Sequence, residues 1–161
     1  MGSGSPLPLL CTRVRRASLS ARPWGEGGVS KLRVLMAVRP AALARVIEHL
    51  LDGVDGLTVV ERVTDGRGLP SRAARSAPDL IVANARILGR EIGAAVAAIK
   101  ASSPASELIV ISAFEDLGRE ALRSGADLTV EEESLVRALP PALAKIATRS
   151  RAGTRGKARR F

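Results

Sequence analysis

Short apolar runs alternate with amphipathic segments over residues 31–148, and this alternation limits the fold more than any other feature of the chain. The first run, Leu32–Val38, is followed closely by Pro40, and such a compact run is typical of a buried strand. Apolar residues then recur at helical spacing on one face of a segment that ends at Gly53. The sequence therefore predicts a strand followed by a helix.

The same pattern recurs along the chain and predicts five strands and five helices. The predicted strands are Leu32–Val38, Leu57–Arg62, Asp79–Asn84, Glu107–Ser112 and Asp127–Val130. The predicted helices follow Pro40, lie near Leu69–Ser76, about Leu88–Ala101 and Glu115–Ser124, and begin near Glu132. Short connections between such elements require right-handed crossovers, so we expect an α/β fold with one open, doubly wound parallel sheet. A ligand site would lie at the carboxyl ends of the strands.

The net charge of +9 arises in the two ends of the chain. Residues 149–161 contain six basic residues and no acidic one, whereas residues 31–148 contain fifteen of each sign. Residues 1–30 are rich in Gly, Ser and Pro and have no apolar periodicity. We therefore predict a disordered basic leader (1–30), a neutral folded domain (31–148) and a disordered basic tail (149–161). The leader is interpreted as a non-functional extension or, alternatively, an organellar transit peptide.

The composition excludes several classes of protein. One cysteine, Cys11, and one histidine, His49, provide neither an intramolecular disulfide nor a zinc site. No apolar run approaches the roughly 18 residues of a membrane span, so we expect a soluble cytoplasmic protein.

The sequence contains little that indicates catalysis. The turn after the first strand, Ala37–Ala41, has no glycine, and no phosphate-binding loop occurs. His49 falls on the polar face of the first helix, and Asp79 begins its strand and so lies at the opposite edge of the sheet. Glu131–Glu133 are explained by the start of the last helix. We expect no enzymatic activity, no metal and no cofactor.

Two segments carry a family resemblance. Pro78–Arg86 resembles the third strand of receiver domains from two-component response regulators. Leu108–Phe114 and Arg119–Asp127 resemble the fourth strand, the fourth helix and the start of the fifth strand. The resemblance extends from Leu32 to about Ala147 and is greatest to receivers that precede a helix-turn-helix output domain. It implies a flavodoxin-like sheet with the strand order 2-1-3-4-5.

The functional positions that the resemblance implies are mostly changed. The phosphoacceptor position is Asn84, a neutral amide, and the acidic pair that binds Mg²⁺ in the family is replaced by Ala37 and Val38. The family's lysine matches Glu131, or Glu132 if the gap is placed differently, and Ser112 alone keeps the switch hydroxyl. The resemblance thus implies a pseudo-receiver, a regulatory module that works by contact and without phosphorylation.

The resemblance also implies where partners bind. A regulatory or output protein, or a second copy of the chain, would contact the fourth helix, the fifth strand and the fifth helix. We expect Pro140-Pro141 to kink or split that last helix, with Leu143 and Ile146 in the core. Phe114 is also expected in the core.

Other functions stay open from the sequence alone. Arg39 and Arg86 are candidates for binding an anion near Ser112, with two solvated side chains as the alternative. The tail, residues 149–161, is a candidate for weak binding of nucleic acid or another polyanion. A small enzyme using Ser112 or Asn84, an ordinary phosphorylated receiver, and the remnant of a transcriptional regulator without its output domain are the remaining alternatives.

Overall fold

The computed structural model describes residues 31–159, with side chains for residues 31–150. The strands are β1 Leu32–Ala37, β2 Leu57–Val63, β3 Leu80–Asn84, β4 Glu107–Ser112 and β5 Leu128–Glu131. The longer helices are α1 Ala41–Asp52, α2 Leu69–Ser76, α3 Ile92–Ser102, α4 Glu115–Arg123 and α5 Leu135–Arg159. Three short pieces complete the described elements: the 3₁₀ turns Gly66–Gly68 and Glu132–Ser134, and the single helical turn Ala85–Leu88. The leader predicted for residues 1–30 lies outside the described residues and stays a prediction.

The five strands form one sheet in the order β2-β1-β3-β4-β5, and every neighbouring pair is parallel. Both the doubly wound sheet and the strand order implied by the resemblance are therefore confirmed. The central strands are apolar on both faces because helices cover both sides of the sheet, which is why they appear in the sequence as continuous apolar runs.

The core has two layers, one on each face of the sheet. Successive side chains of β3 point to opposite faces of the sheet and so enter different layers. Ile81 packs in the layer with α2, α3 and α4, whereas Val82 packs in the layer with α1 and α5. The helices contribute Leu69, Ile92, Val96 and Ile99 to the first layer and Ile47, Leu51, Leu135, Leu139, Leu143 and Ile146 to the second. Leu143 and Ile146 are buried, so the prediction that they belong to the core is confirmed.

The last helix is not split at its two prolines, where the sequence predicts a kink or a split. Pro140 and Pro141 both lie inside α5. Each proline lacks an N–H, so the carbonyl groups four residues earlier, those of Val136 and Arg137, lack their usual helical hydrogen bond. Both of these residues are exposed, so water can satisfy their carbonyl groups.

The backbone also remains helical up to Arg159, beyond the predicted domain boundary at residue 148. The disorder predicted for residues 149–161 stays a prediction. Ala, Arg and Lys favour helix and are frequent in this segment, which continues a helix already fixed by packing at Leu139 and Leu143.

Two helix starts also differ from the expected positions. The predicted helix near Leu88–Ala101 is two elements, because Gly89, with φ of 85°, ends the turn Ala85–Leu88 before α3 begins at Ile92. The last helix is preceded by a 3₁₀ turn and begins at Leu135.

Within residues 31–159, none of the helices has the combination of length and apolar character needed to cross a membrane.

A close backbone contact joins the β2–α2 and β3–α3 connections. Gly66 lies against the carbonyl group of Ile87, and a Cβ atom added at Gly66 would be 2.0 Å from that oxygen. The atoms that it would meet belong to the main chain, which cannot turn aside as the end of a flexible side chain can. Glycine is therefore required here for space and not for its backbone angles.

We predict that Gly66→Ala lowers the free energy of unfolding by about 2 kcal/mol or more, through overpacking against Ile87. Gly53→Ala is the matched control, because an added Cβ at Gly53 meets only ordinary contacts at 3.5 Å and the backbone is right-handed helical there. We expect that control to be neutral or to stabilise by about 0.5 kcal/mol. Urea denaturation measures both, and equal stability of the two variants would contradict the packing described.

Candidate functional site

The carboxyl ends of the five strands lie along one edge of the sheet because all the strands are parallel. The register pairs Asn84 with Ile111, the residue before Ser112, and pairs Ser112 with Glu131. The structure therefore brings the positions implied by the family resemblance to this one edge. They are Ala37, Val38, Asn84, Ser112 and Glu131.

Asn84, the last residue of β3, is fully buried and holds the β1–α1 connection with both polar groups of its side chain. Its Nδ2 donates to the carbonyl oxygen of Arg39 at 2.6 Å, and its Oδ1 accepts from the Arg39 main-chain N–H at 3.3 Å. A buried amide with both groups satisfied is in a favourable environment. It offers neither a negative charge nor a solvent-facing oxygen for phosphoryl transfer.

Ala37 and Val38 are core residues, with 0% and 3% of their surfaces exposed. Ala37 packs in the layer beneath α2, α3 and α4, and Val38 packs in the layer beneath α1 and α5. Mg²⁺ is bound by oxygen ligands, which these aliphatic side chains do not supply. Residues 31–159 also contain no group of three His, Cys, Asp or Glu side chains arranged to hold a metal. The residues therefore do not fit the Mg²⁺ site of the family.

Ser112 is buried at the end of β4, and its hydroxyl group is used within its own loop. The hydroxyl donates to the carbonyl oxygen of Phe114 at 2.8 Å and accepts from the Phe114 N–H at 3.0 Å. This pair of bonds fixes the start of α4 and orients no group toward Asn84. The expectation that Phe114 is buried is wrong, since 67% of its surface is exposed. Phe114 stands before the first turn of α4, outside the helix face that contacts the sheet.

Glu131 ends β5 and is exposed. Together with Ser112 and Phe114 it lines a small pocket of about 210 Å³ between α4 and β5. A carboxylate thus occupies the position at which the resemblance implies a lysine, and the charge at this point is reversed.

Arg39 and Arg86 are both exposed at this edge, on the connections after β1 and β3. Neither forms an ion pair with any of the side chains described for residues 31–150. Binding of an anion by these two arginines stays a prediction at this point.

The remaining polar candidates lie away from the edge. His49 is exposed on α1. Asp79 is at the opposite edge, where its carboxylate accepts the main-chain N–H of Arg33 at 2.8 Å. The Arg119 guanidinium, through a hydrogen bond and its charge, lowers the pKa of Glu115. Glu115 and Arg119 form a solvent-exposed ion pair one helical turn apart on α4, which does not indicate a catalytic group.

No family model matches this chain, and no curated protein matches it. Solved structures do match. A two-component response regulator of the LuxR family from Aurantimonas sp. SI85-9A1 superposes with a TM-score of 0.65 and 18% identity, over 74% of this chain and 86% of that chain. The chain has the receiver-domain fold.

Two further receiver structures agree. The REC domain of AraT, a response regulator from Geobacillus stearothermophilus, matches with a TM-score of 0.63 and 19% identity, over 76% of this chain and 98% of its own. The response regulator domain of Thermotoga maritima CheB matches with a TM-score of 0.61 and 22% identity, over 74% of this chain and 95% of its own. The receiver fold is thus shared at low identity, and the chemistry must be derived from the residues present here.

Sequence reasoning missed three exposed apolar side chains on or next to α4 and α5. Phe114, Leu122 and Val136 are exposed by 67%, 46% and 65% on α4 and α5 and the turn before α4. An open groove of about 880 Å³ lies between β5 and α5, lined in part by Leu128 and Pro141. Val136 falls outside the apolar stripe of α5 at residues 135, 139, 143 and 146. That position in the sequence could have predicted its exposure.

We predict that Asn84→Asp destabilises the domain at neutral pH by about 2 kcal/mol. The introduced carboxylate would face the Arg39 carbonyl oxygen, which now accepts a hydrogen bond at 2.6 Å. Burial and this contact favour the protonated acid, so the pKa of the introduced group would be higher in the folded than in the unfolded state. The loss relative to the native chain is therefore small below the unfolded pKa of about 3.9 and grows, by at most about 1.4 kcal/mol per pH unit, as the pH rises toward the folded pKa.

The matched control is Asn84→Ala, which removes both hydrogen bonds without adding a charge. Its loss of stability should be the same at pH 4.5 and pH 8, whereas that of Asn84→Asp should be larger at pH 8. Chemical denaturation at the two pH values measures both. A loss for Asn84→Asp that does not depend on pH would contradict the geometry at this edge.

Proposed function

We propose that this chain is a phosphorylation-independent receiver module, which acts by binding other proteins in a two-component type of regulatory pathway. The observation that carries the proposal is the Asn84 amide, fully buried and bonded through both polar groups to the Arg39 main chain. The aliphatic side chains of Ala37 and Val38 support it, since they supply no carboxylate ligand for a metal at the end of β1. In this proposal the protein is not an enzyme and works in the cytoplasm.

Acetyl phosphate tests the proposal directly. The full chain is incubated with acetyl phosphate and Mg²⁺, and intact mass spectrometry measures any added phosphoryl group of about 80 Da. We expect no adduct, because the amide is neither charged nor accessible. An adduct that is lost in Asn84→Ala would contradict the proposal, whereas one that persists in that variant would identify a reaction elsewhere on the chain.

The partner surface that we propose comprises α4, β5 and α5. Phe114, Leu122 and Val136 are exposed there, and exposed apolar side chains grouped on one face are typical of protein-binding surfaces. The groove of about 880 Å³ between β5 and α5 adds a concave element bordered by Lys145 and Asp127. A regulatory or output protein is the proposed partner, and a second copy of the chain is the partner that can be tested first.

Self-association through this face is expected to weaken by about tenfold or more in the double variant Leu122→Asp/Val136→Asp, since a charge replaces an apolar contact at two positions. The control Val46→Asp/Val60→Asp changes two valines, exposed by 40% and 41%, on α1 and β2. Sedimentation velocity over a range of concentrations gives the dimer dissociation constant. A native chain that stays monomeric, or equal effects of the two double variants, would contradict a homodimer on this surface.

Binding of a polyanion by residues 149–161 stays a prediction. Arg149 contacts the domain itself, since its guanidinium donates to Glu107 at 2.9 Å. A truncation after Ser150 would keep this ion pair and remove the other five basic residues, Arg151, Arg155, Lys157, Arg159 and Arg160.

A further inference from the structure

Two contacts hold the connections after β1, β2 and β3 together at the carboxyl edge, and each of these connections carries one arginine. The first contact is the pair of hydrogen bonds between the Asn84 side chain and the main chain of Arg39. Arg86 follows Asn84 by two residues, in the turn Ala85–Leu88. The β1 and β3 connections, with one arginine each, are therefore held together at their starts.

The second contact adds the β2 connection. Gly66 lies so close to Ile87 that an added Cβ would be 2.0 Å from the Ile87 carbonyl oxygen. Arg67 is the residue after Gly66, and Arg86 is the residue before Ile87. Arg67 and Arg86 thus start from backbone positions that lie side by side.

All three arginines are exposed, and none has an ion-pair partner among the side chains described for residues 31–150. The nearby carboxylate of Asp65 accepts the main-chain N–H of Arg67 at 3.0 Å, which fixes the 3₁₀ turn. One negative charge therefore accompanies three positive charges, and the guanidinium groups keep their donors available.

The rest of the edge has the opposite sign. The connections after β4 and β5 begin with Glu115, Asp116 and the run Glu131–Glu133. An anion approaching this edge is repelled on the β4–β5 side and attracted on the β2–β1–β3 side. The charge distribution thus selects one half of the edge.

From this arrangement we infer that Arg39, Arg67 and Arg86 form a binding site for a phosphate group carrying two negative charges. Guanidinium groups pair with phosphate oxygens through two parallel hydrogen bonds, and several of them can share one dianion. The phosphate belongs to a ligand and is bound without covalent transfer, so the site is independent of Asn84 as a nucleophile. It acts in addition to the protein-binding function proposed above.

The phosphate group can come from two sources, a free phosphorylated small molecule or a phosphorylated side chain of a partner. Isothermal titration calorimetry of the full chain at fixed ionic strength distinguishes them. One arm uses inorganic pyrophosphate, and a second uses a phosphoserine peptide beside its unphosphorylated twin. A third arm uses citrate, which has a similar charge but only carboxylates.

The test variant is Arg39→Ala/Arg67→Ala/Arg86→Ala. It should fold like the native chain, because the hydrogen bonds of Arg39 to Asn84 use the main chain and all three side chains are exposed. The control, Lys31→Ala/Arg45→Ala/Arg75→Ala, removes the same charge from exposed basic residues outside the proposed partner surface, none of which has an ion pair in the described part of the chain. Circular dichroism checks the fold of both.

We expect the native chain to bind pyrophosphate or the phosphopeptide saturably. The test variant should bind at least about tenfold more weakly, and the affinity of the control should change by at most about twofold. Tighter binding of pyrophosphate assigns the site to a free ligand, and tighter binding of the phosphopeptide assigns it to a partner's side chain. Three results would overturn the inference: no binding of either probe, equal losses in the two triple variants, or citrate binding as tight as that of pyrophosphate.

Discussion

Two hydrogen bonds between the Asn84 side chain and the Arg39 main chain determine what the carboxyl edge of this sheet can do. They join Asn84, at the end of β3, to Arg39, just after β1 and 45 residues earlier in the sequence, at the edge where a receiver fold would place its chemistry. An aspartate could not make the same pair, because its carboxylate would face a carbonyl oxygen. The buried amide carries no charge and turns no oxygen to solvent, and on this ground we propose that the edge does not accept a phosphoryl group.

The other features of the edge are consistent with this constraint. Ala37 and Val38 pack in the two core layers where the resemblance implies metal ligands, and the Ser112 hydroxyl is bonded within its own loop. What remains available to ligands is on the surface: an arginine cluster on one half of the edge, and an apolar face on α4 and α5. Both support the proposed role in binding.

The strands could be predicted from the sequence because each is a compact apolar run, and α2 has the bounds Leu69–Ser76 expected for it. Contacts between segments that are distant in sequence could not be predicted in this way. The partner of Asn84 is a main-chain group, which has no residue type to recognise, and the approach of Gly66 to Ile87 depends on the packing of two connections. Phe114 was misplaced because hydrophobicity alone does not say on which side of a helix start a side chain lies. The prolines of α5 were expected to break the helix, but packing of Leu139 and Leu143 in the core outweighs the lost hydrogen bonds.

We propose that the buried Asn84 amide keeps metal ions and phosphoryl groups from this edge, and nuclear magnetic resonance of the amide tests this claim. In ¹⁵N-labelled protein the two Asn84 NH₂ protons should exchange slowly with solvent, since one is hydrogen-bonded and the group is fully buried. Their signals and the Arg39 amide signal should be the same with Mg²⁺ and beryllofluoride, a phosphoryl mimic, as with beryllofluoride alone. Rapid exchange of the Asn84 protons, or shifts of these signals that require both Mg²⁺ and beryllofluoride, would contradict the claim.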